Sequence, residues 1–162
     1  MPQEQEHTTD EIQETRKTIL VVEDDEGIGS FLVQAILLET SYHPILARDS
    51  SEALHITQHI KPNLIILDYS LPSMNGLELY DQLMGMDGLA AIPAIVLTAS
   101  FKKYQAEIEQ RELIGLGKPV ELDELLETIE SAFTRPLFSS QPGEAECVPA
   151  IYVQTSSADE TI

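Results

Sequence analysis

The sequence predicts an α/β fold built on a five-stranded, parallel, doubly wound sheet. Short apolar runs alternate along the chain with stretches in which apolar residues recur at helical spacing. The clearest run, at residues 64–67, has four apolar residues, is too short for a helix, and is flanked by turn-forming residues that include Pro62 and Pro72. Such a run is typical of a strand buried on both faces. Strands that alternate with helices pair in parallel through right-handed crossovers.

The five strands are predicted from short apolar runs, the first of them largely β-branched. In chain order they lie at residues 18–22, 42–47, 64–67, 92–97 and 113–116. The second run contains Pro44, which has no N–H group and therefore suits the edge of a sheet.

The five helices are predicted from periodic apolar positions between and after these runs. They lie at residues 28–38, 50–59, 77–84, 103–111 and 122–133. Asp25 and Glu26 are expected at the start of the first helix. Ser50 or Ser51 is expected to cap the second, because a serine hydroxyl can accept a hydrogen bond from a free N–H of the first turn.

Composition divides the chain of 162 residues into three parts. Residues 1–16 are polar and charged, and we expect them to form a disordered acidic arm. Residues 17–135 hold every predicted strand and helix and form one domain. Residues 136–162 are rich in polar and turn-forming residues, so we expect a mostly disordered tail that is too short to build an output domain.

Charge limits the classes of function that the chain can have. Nine Lys and Arg residues stand against 28 Asp and Glu, for a formal net charge of −19. DNA or RNA binding is not expected, since it needs a basic face to neutralise phosphates. Nothing resembles a signal peptide or the ~20 apolar residues of a membrane span, so membrane insertion is not expected either. The single cysteine, Cys147, fits a reducing compartment, and we expect a cytoplasmic protein.

Charged and hydroxyl side chains follow four of the predicted strands. Glu23 and Asp24 follow the first strand, Asp68 the third, Thr98 the fourth and Lys118 the fifth. The carboxyl ends of parallel strands share one edge of the sheet, where open α/β sheets bind ligands, so these side chains should converge. Three carboxylates packed together repel one another. A hard cation such as Mg²⁺, which prefers oxygen ligands, removes that repulsion.

Asp68 is the candidate nucleophile of this cluster. With a cation to neutralise charge, its carboxylate can attack a phosphoryl group and form an aspartyl phosphate. Lys118 can then pair with one phosphoryl oxygen, and the Thr98 hydroxyl can donate a hydrogen bond to another. Each of these residues, taken alone, could serve a structural role such as a helix cap, a buried ion pair or a surface charge. The prediction rests on their position together at one edge of the sheet.

Four segments resemble the receiver domain of two-component response regulators. In chain order they read ILVVED at 19–24, LDYSLPSMNG at 67–76, LTA at 97–99 and GKP at 117–119. The resemblance covers about residues 17–134 and implies the flavodoxin-like fold of that family. It also implies a stand-alone signalling protein rather than an enzyme, whose only chemistry is its own phosphorylation and dephosphorylation.

The resemblance also assigns roles to residues of the cluster. It makes Asp68 the acceptor of a phosphoryl group from a histidine kinase or a histidine phosphotransfer protein, with an unknown downstream protein as the target. Asp24 and Asp68 would bind Mg²⁺ directly, Glu23 would bind it through water, and the backbone carbonyl of Ser70 would be a further ligand.

Two further residues complete the site that the resemblance implies. Thr98 and Lys118 would contact the phosphoryl group. The peptide bond between Lys118 and Pro119 would be cis, as is usual in the family.

Gly115 departs from the pattern of the family. Receivers usually carry Tyr or Phe three residues before the lysine, and the segment between Thr98 and Lys118 also looks short. A docking module with a weak or absent phosphorylation switch is therefore one alternative. A Mg²⁺-dependent phosphatase with a nucleophilic aspartate is another, although such enzymes generally have a second acid where this chain has Ser70.

Overall fold

The computed structural model describes residues 16–86, 89 and 92–134 of the chain. Within them, five strands alternate with five helices. The strands are β1 (Thr18–Val22), β2 (His43–Ala47), β3 (Leu64–Asp68), β4 (Ala94–Thr98) and β5 (Ile114–Gly117). The helices are α1 (Glu26–Glu39), α2 (Ser50–Thr57), α3 (Gly76–Met84), α4 (Phe101–Gln110) and α5 (Leu122–Thr134). In this part of the chain, no helix has the length and apolar character needed to span a bilayer.

The strands form one parallel sheet in the order β2-β1-β3-β4-β5. This confirms the predicted fold class. β2 is an edge strand, so the missing N–H of Pro44 is tolerated there. Because β1, β3 and β4 lie inside the sheet, the strand ends that carry the predicted site lie side by side.

Two apolar layers cover the sheet, one on each face. Helices α1 and α5 pack on one face, where Ile36 and Ile129 meet β-strand side chains such as Ile66. Helices α2, α3 and α4 pack on the other face, around residues such as Leu67 and Leu79. All five residues of β3 are buried, as the run at 64–67 predicts. Each such Leu or Ile contributes about 2 kcal/mol by leaving water.

The residues at the starts of the first two helices confirm one prediction from the sequence and correct another. Asp25 caps α1, since its Oδ1 accepts a hydrogen bond from the Ile28 N–H at 2.9 Å. The prediction that Ser50 or Ser51 caps α2 is wrong. Asp49 is the cap and accepts from the Glu52 N–H at 2.8 Å. Both serines lie inside the first turn, where their own side chains cannot fill the capping position.

Other element boundaries shift by one or two residues. Helix α2 ends at Thr57 rather than 59, β4 runs from Ala94 to Thr98, and α4 begins at Phe101, two residues before its predicted start. Helix α4 is ten residues long. The predicted acidic arm, the C-terminal tail and Cys147 lie outside the described residues, apart from residue 16.

Candidate functional site

The site lies at the carboxyl edge of the sheet, where three neighbouring strands end. Asp68 is the last residue of β3, Thr98 is the last residue of β4, and Lys118 follows β5 directly. Glu23 follows β1, the neighbour of β3 on the other side, and its N–H donates to the Ala47 carbonyl at 3.0 Å. The sheet order therefore brings the predicted residues to one place.

Lys118 pairs with the carboxylates of this edge. Its Nζ lies 2.8 Å from Asp68 Oδ1 and 3.8 Å from Glu23 Oε1. Burial lowers the pKa of the ammonium, but contact with Asp68 and the charges of Asp68, Glu23 and Asp24 outweigh burial, so the net pKa is raised. Lys118 is therefore a charged group held at the Asp68 carboxylate.

Glu23, Asp24 and Asp68 form an acidic cluster in which one carboxylate oxygen of each residue lies within 4.8 Å of the others. Glu23 and Asp68 are each only 2 % exposed, whereas Asp24 is exposed. Glu23 Oε1 and Asp68 Oδ1 are buried without a hydrogen-bond donor among the described residues. The charge of the Lys118 ammonium, 2.8 Å away, is what offsets the charge of Asp68 Oδ1.

The pKa of Glu23 is raised from its ordinary value of 4.5 to about 7. Burial is the larger cause, and the charge of Asp68 adds to it. A hydrogen bond from the Asp25 N–H to Glu23 Oε2, at 3.2 Å, and the charge of Lys118 act in the opposite direction but are weaker. A bound cation would offset the negative charge that helps to raise this pKa. Carboxylate oxygens that receive no hydrogen bond suit a hard cation such as Mg²⁺.

Thr98 is held from two sides. The Ser100 N–H donates to Thr98 Oγ1 at 3.0 Å, and the Lys118 N–H donates to the Thr98 carbonyl at 3.0 Å. Because the Thr98 hydroxyl oxygen accepts from Ser100, the hydroxyl proton can point away and be donated to a third group. The side chain is 3 % exposed, at the edge of the sheet next to β3.

The loop after Asp68 folds back on the strand end. The Gly76 N–H donates to the Tyr69 carbonyl at 2.8 Å, and the Tyr69 N–H donates to the Leu97 carbonyl at 2.8 Å. A Cβ atom at Gly76 would lie 2.6 Å from the Asp68 carbonyl oxygen, so only glycine permits this approach. Asn75 caps α3 in a capping box with Glu78 and anchors the far end of the loop.

Comparison with known families matches residues 19–130 to the model of the response regulator receiver domain. The chain belongs to the response regulator receiver family. Proteins of this family typically act in signalling rather than as enzymes, and receiver domains bind Mg²⁺ through an acidic cluster. The receiver described here has such a cluster in Glu23, Asp24 and Asp68.

Individual proteins that the chain resembles are also response regulators. The receiver is 32% identical over 117 residues to the polar-differentiation response regulator DivK of Brucella anthropi, covering 71% of this chain and 94% of that protein. Among solved structures, it resembles chemotaxis response regulator CheY4 of Vibrio cholerae, with 27% identity, a TM-score of 0.67 and coverage of 73% and 99% of the two chains. A response regulator from Chloroflexus aurantiacus gives 26% identity, a TM-score of 0.67 and coverage of 75% and 100%.

The structure places most of the predicted site residues together. One oxygen of each of Glu23, Asp24 and Asp68 lies within 4.8 Å of the others, and Lys118 pairs with Glu23 and Asp68. The Lys118–Pro119 peptide is cis, as the resemblance implies. Ser70 lies exposed two residues beyond Asp68, on the loop described above. The roles assigned to these residues and to Thr98 stay predictions.

Three contacts near the site were not predicted. The Ser100 N–H bonds to the Thr98 hydroxyl, Tyr69 stacks on Tyr104 with ring centroids 3.8 Å apart, and a ring from α4 covers Gly115. The aromatic residues of α4 are visible in the sequence, but no pattern there pairs them with residues of other elements.

Proposed function

We propose that this receiver accepts a phosphoryl group on Asp68 from a phosphohistidine, on a histidine kinase or a histidine phosphotransfer protein. The observation that carries the proposal is the Asp68 carboxylate, which is buried, lacks a hydrogen-bond donor on Oδ1 and is paired with Lys118 at 2.8 Å. Most buried carboxylates in structural roles receive hydrogen bonds, whereas Asp68 Oδ1 has the Lys118 ammonium beside it and two further acids nearby, an excess of negative charge that suits a cation and a phosphoryl group.

Mg²⁺ is the cofactor that we propose for this reaction. Asp24 and Asp68 would bind it directly, Glu23 through water, and the Ser70 carbonyl as a further ligand. Two observations support this assignment. Glu23 Oε1 and Asp68 Oδ1 are buried and receive no hydrogen bond from the described residues, and every proposed ligand atom is an oxygen. When bound, the ion would offset the charge of the phosphoryl group and of the carboxylates.

The residues of the chain carry the transfer as follows. A bond forms between an Asp68 carboxylate oxygen and phosphorus while the phosphorus–nitrogen bond of the donor breaks, and the electron pair leaves on the imidazole nitrogen. Lys118, now paired with Asp68, stabilises the negative charge of the transferred group. Thr98 donates its free hydroxyl proton to another phosphoryl oxygen. These contacts supply positioning and charge stabilisation, which is what phosphoryl transfer requires of a protein.

We further propose that the domain of residues 17–135 signals by contact with a protein target and that its chemistry is limited to its own phosphorylation and dephosphorylation. The formal net charge of −19 supports protein rather than DNA contact. The single cysteine of the chain supports a cytoplasmic location.

Intact-mass measurement tests the phosphoacceptor. The full chain is incubated with acetyl phosphate, with and without Mg²⁺, beside Asp68→Asn. Asp81→Asn is the matched control, because Asp81 is an exposed aspartate paired with Arg111 rather than a member of the cluster. We expect one phosphoryl adduct that requires both Mg²⁺ and Asp68 and that Asp81→Asn retains.

Three results would contradict the proposal. An adduct that survives in Asp68→Asn would place the acceptor elsewhere. No adduct from acetyl phosphate or from a phosphorylated histidine phosphotransfer protein would favour the docking module instead. Multiple turnovers of a small phosphate ester would favour the phosphatase alternative.

A further inference from the structure

Gly115 leaves a notch in the sheet that an aromatic ring of α4 fills. Gly115 is buried in β5, paired in register with Val96. A Cβ atom built on Gly115 would overlap the ring of Phe101, at 2.6 Å from Cδ1 and closer still to Cε1, and would lie 3.4 Å from Ile108 Cδ1. The Phe101 ring therefore occupies the space that any side chain at position 115 would need.

Phe101 anchors the first turn of α4 on the sheet. Of the ten residues of this helix, all of them described, Ile108 alone is fully buried, and it lies two turns further on. The N-cap residue Ser100 makes no side-chain capping bond. Besides the stack of Tyr104 on Tyr69, the seat of Phe101 on Gly115 is the aromatic contact that sets where this first turn lies.

The same first turn holds the Thr98 hydroxyl. Ser100 lies directly before Phe101, and its carbonyl accepts from the N–H groups of Lys103 and Tyr104 at 3.0 and 3.3 Å. Its own N–H donates to Thr98 Oγ1 at 3.0 Å. Wherever α4 begins, the Ser100 N–H must follow, and with it the direction of the Thr98 hydroxyl proton.

We infer that Phe101 is a positioning residue for Thr98. Seated on Gly115, its ring fixes the start of α4, and the Ser100 N–H then holds the Thr98 hydroxyl as a donor toward the phosphoryl group on Asp68. The inference rests on the function proposed above, since it assigns Phe101 a part in the same reaction. Phe101 itself does not touch the reacting atoms.

A double-mutant cycle separates this role from simple packing. Phosphorylation rates with acetyl phosphate and saturating Mg²⁺ are compared for the wild-type chain, Phe101→Ala, Thr98→Val and the double variant. Thr98→Val removes one hydrogen bond in the transition state and should slow the reaction about tenfold. Phe101→Ala should slow it several-fold, about threefold or more.

The double variant decides the question. If Phe101 acts through Thr98, the double variant reacts at the rate of Thr98→Val alone, because the hydroxyl that Phe101 positions is already gone. If the two losses multiply, or if Phe101→Ala reacts at the wild-type rate, the inference is overturned.

The Ser100 amide gives a readout that does not depend on the reaction. In Phe101→Ala, its hydrogen exchange should accelerate and its NMR resonance should shift, even without phosphate. Tyr80→Ala is the matched control, because Tyr80 is another partly buried aromatic of the same core layer but lies on α3. An equal change of the Ser100 amide in Tyr80→Ala would overturn the inference.

Two further points keep the outcomes distinct. Phe101→Leu retains an apolar side chain over Gly115 and replaces Phe101→Ala if the alanine variant does not fold; the same non-additivity is expected with a smaller loss. If the wild-type chain forms no adduct, the proposed function fails and the inference fails with it. If the wild-type chain forms the adduct but the cycle is additive, only the inference fails.

Discussion

The raised pKa of Glu23 predicts that the metal-free protein loses stability as pH rises. The carboxyl group titrates at about 7 in the folded chain, against an ordinary value of 4.5. Below about pH 4.5, Glu23 is protonated in both the folded and the unfolded state. Between these two pH values, the folded state holds the proton and the unfolded state largely does not. The stabilisation that this proton gives the folded state is lost progressively as pH rises and is gone above about pH 7. The gap between the two pKa values corresponds to about 3 kcal/mol.

Urea unfolding in EDTA at about pH 5 and about pH 8 measures this loss. Relative to Glu23→Gln, which cannot titrate, the wild-type free energy of unfolding should fall by roughly 2 to 3 kcal/mol between the two conditions, most of the full gap. Added Mg²⁺ should restore stability to the wild type at the higher pH by mass action, and should restore less to Glu23→Gln. Glu127→Gln, at an exposed position of α5, controls for the loss of a negative charge.

The reasoning is refuted if wild type and Glu23→Gln show the same dependence on pH. It is also refuted if the wild type gains stability relative to Glu23→Gln as pH rises. Either result would mean that the folded protein does not hold a proton on Glu23 more tightly than the unfolded chain does.

Three further substitutions test the fold and its link to the site. Gly76→Ala should lower the free energy of unfolding by about 2 kcal/mol and slow phosphorylation, because its Cβ would press on the Asp68 carbonyl oxygen at 2.6 Å; a variant with wild-type stability and rate would contradict this. Ile66→Ala should cost about 4 kcal/mol in urea unfolding, since the side chain is fully buried in β3; a loss below ~1 kcal/mol would not fit a packed core. Asp81→Asn breaks a two-bond contact with Arg111 at 2.8 and 2.9 Å, but partial exposure limits the expected loss to about 1 kcal/mol. That loss should shrink in high salt, and its persistence there would contradict an ionic origin.

The fold could be predicted because its signals are local. A run such as residues 64–67 is typical of a strand buried on both faces, and the alternation of such runs with helices favours a parallel sheet and its topology. The position of Asp68 beside Lys118 followed without further information, since strand ends of a parallel sheet share one edge. Element ends were less certain, as the Asp49 cap shows. The prediction considered only the two serines, whereas the aspartate directly before them caps the helix.

Contacts between a helix and the sheet could not be predicted from the sequence. The seat of Phe101 on Gly115 depends on the rotation and height of α4 above β5, and periodicity specifies only which side of a helix is apolar. The stack of Tyr69 on Tyr104 likewise depends on how α4 is placed above the sheet. Gly115 was therefore read from the sequence as a missing aromatic, whereas the structure shows a ring supplied from another element.

The complete burial of β3 also bears on how easily the Asp68 side and the Thr98 side of the site open to solvent. Asp68 ends a strand in which every residue is buried, so its backbone amide should exchange with solvent only when the whole domain unfolds. Helix α4, with one fully buried residue and no side-chain cap, should open locally at a much smaller free energy. Among the described residues, the group that carries the proposed chemistry thus lies on a strand expected to exchange slowly, and the Thr98 side of the site borders a helix expected to exchange faster.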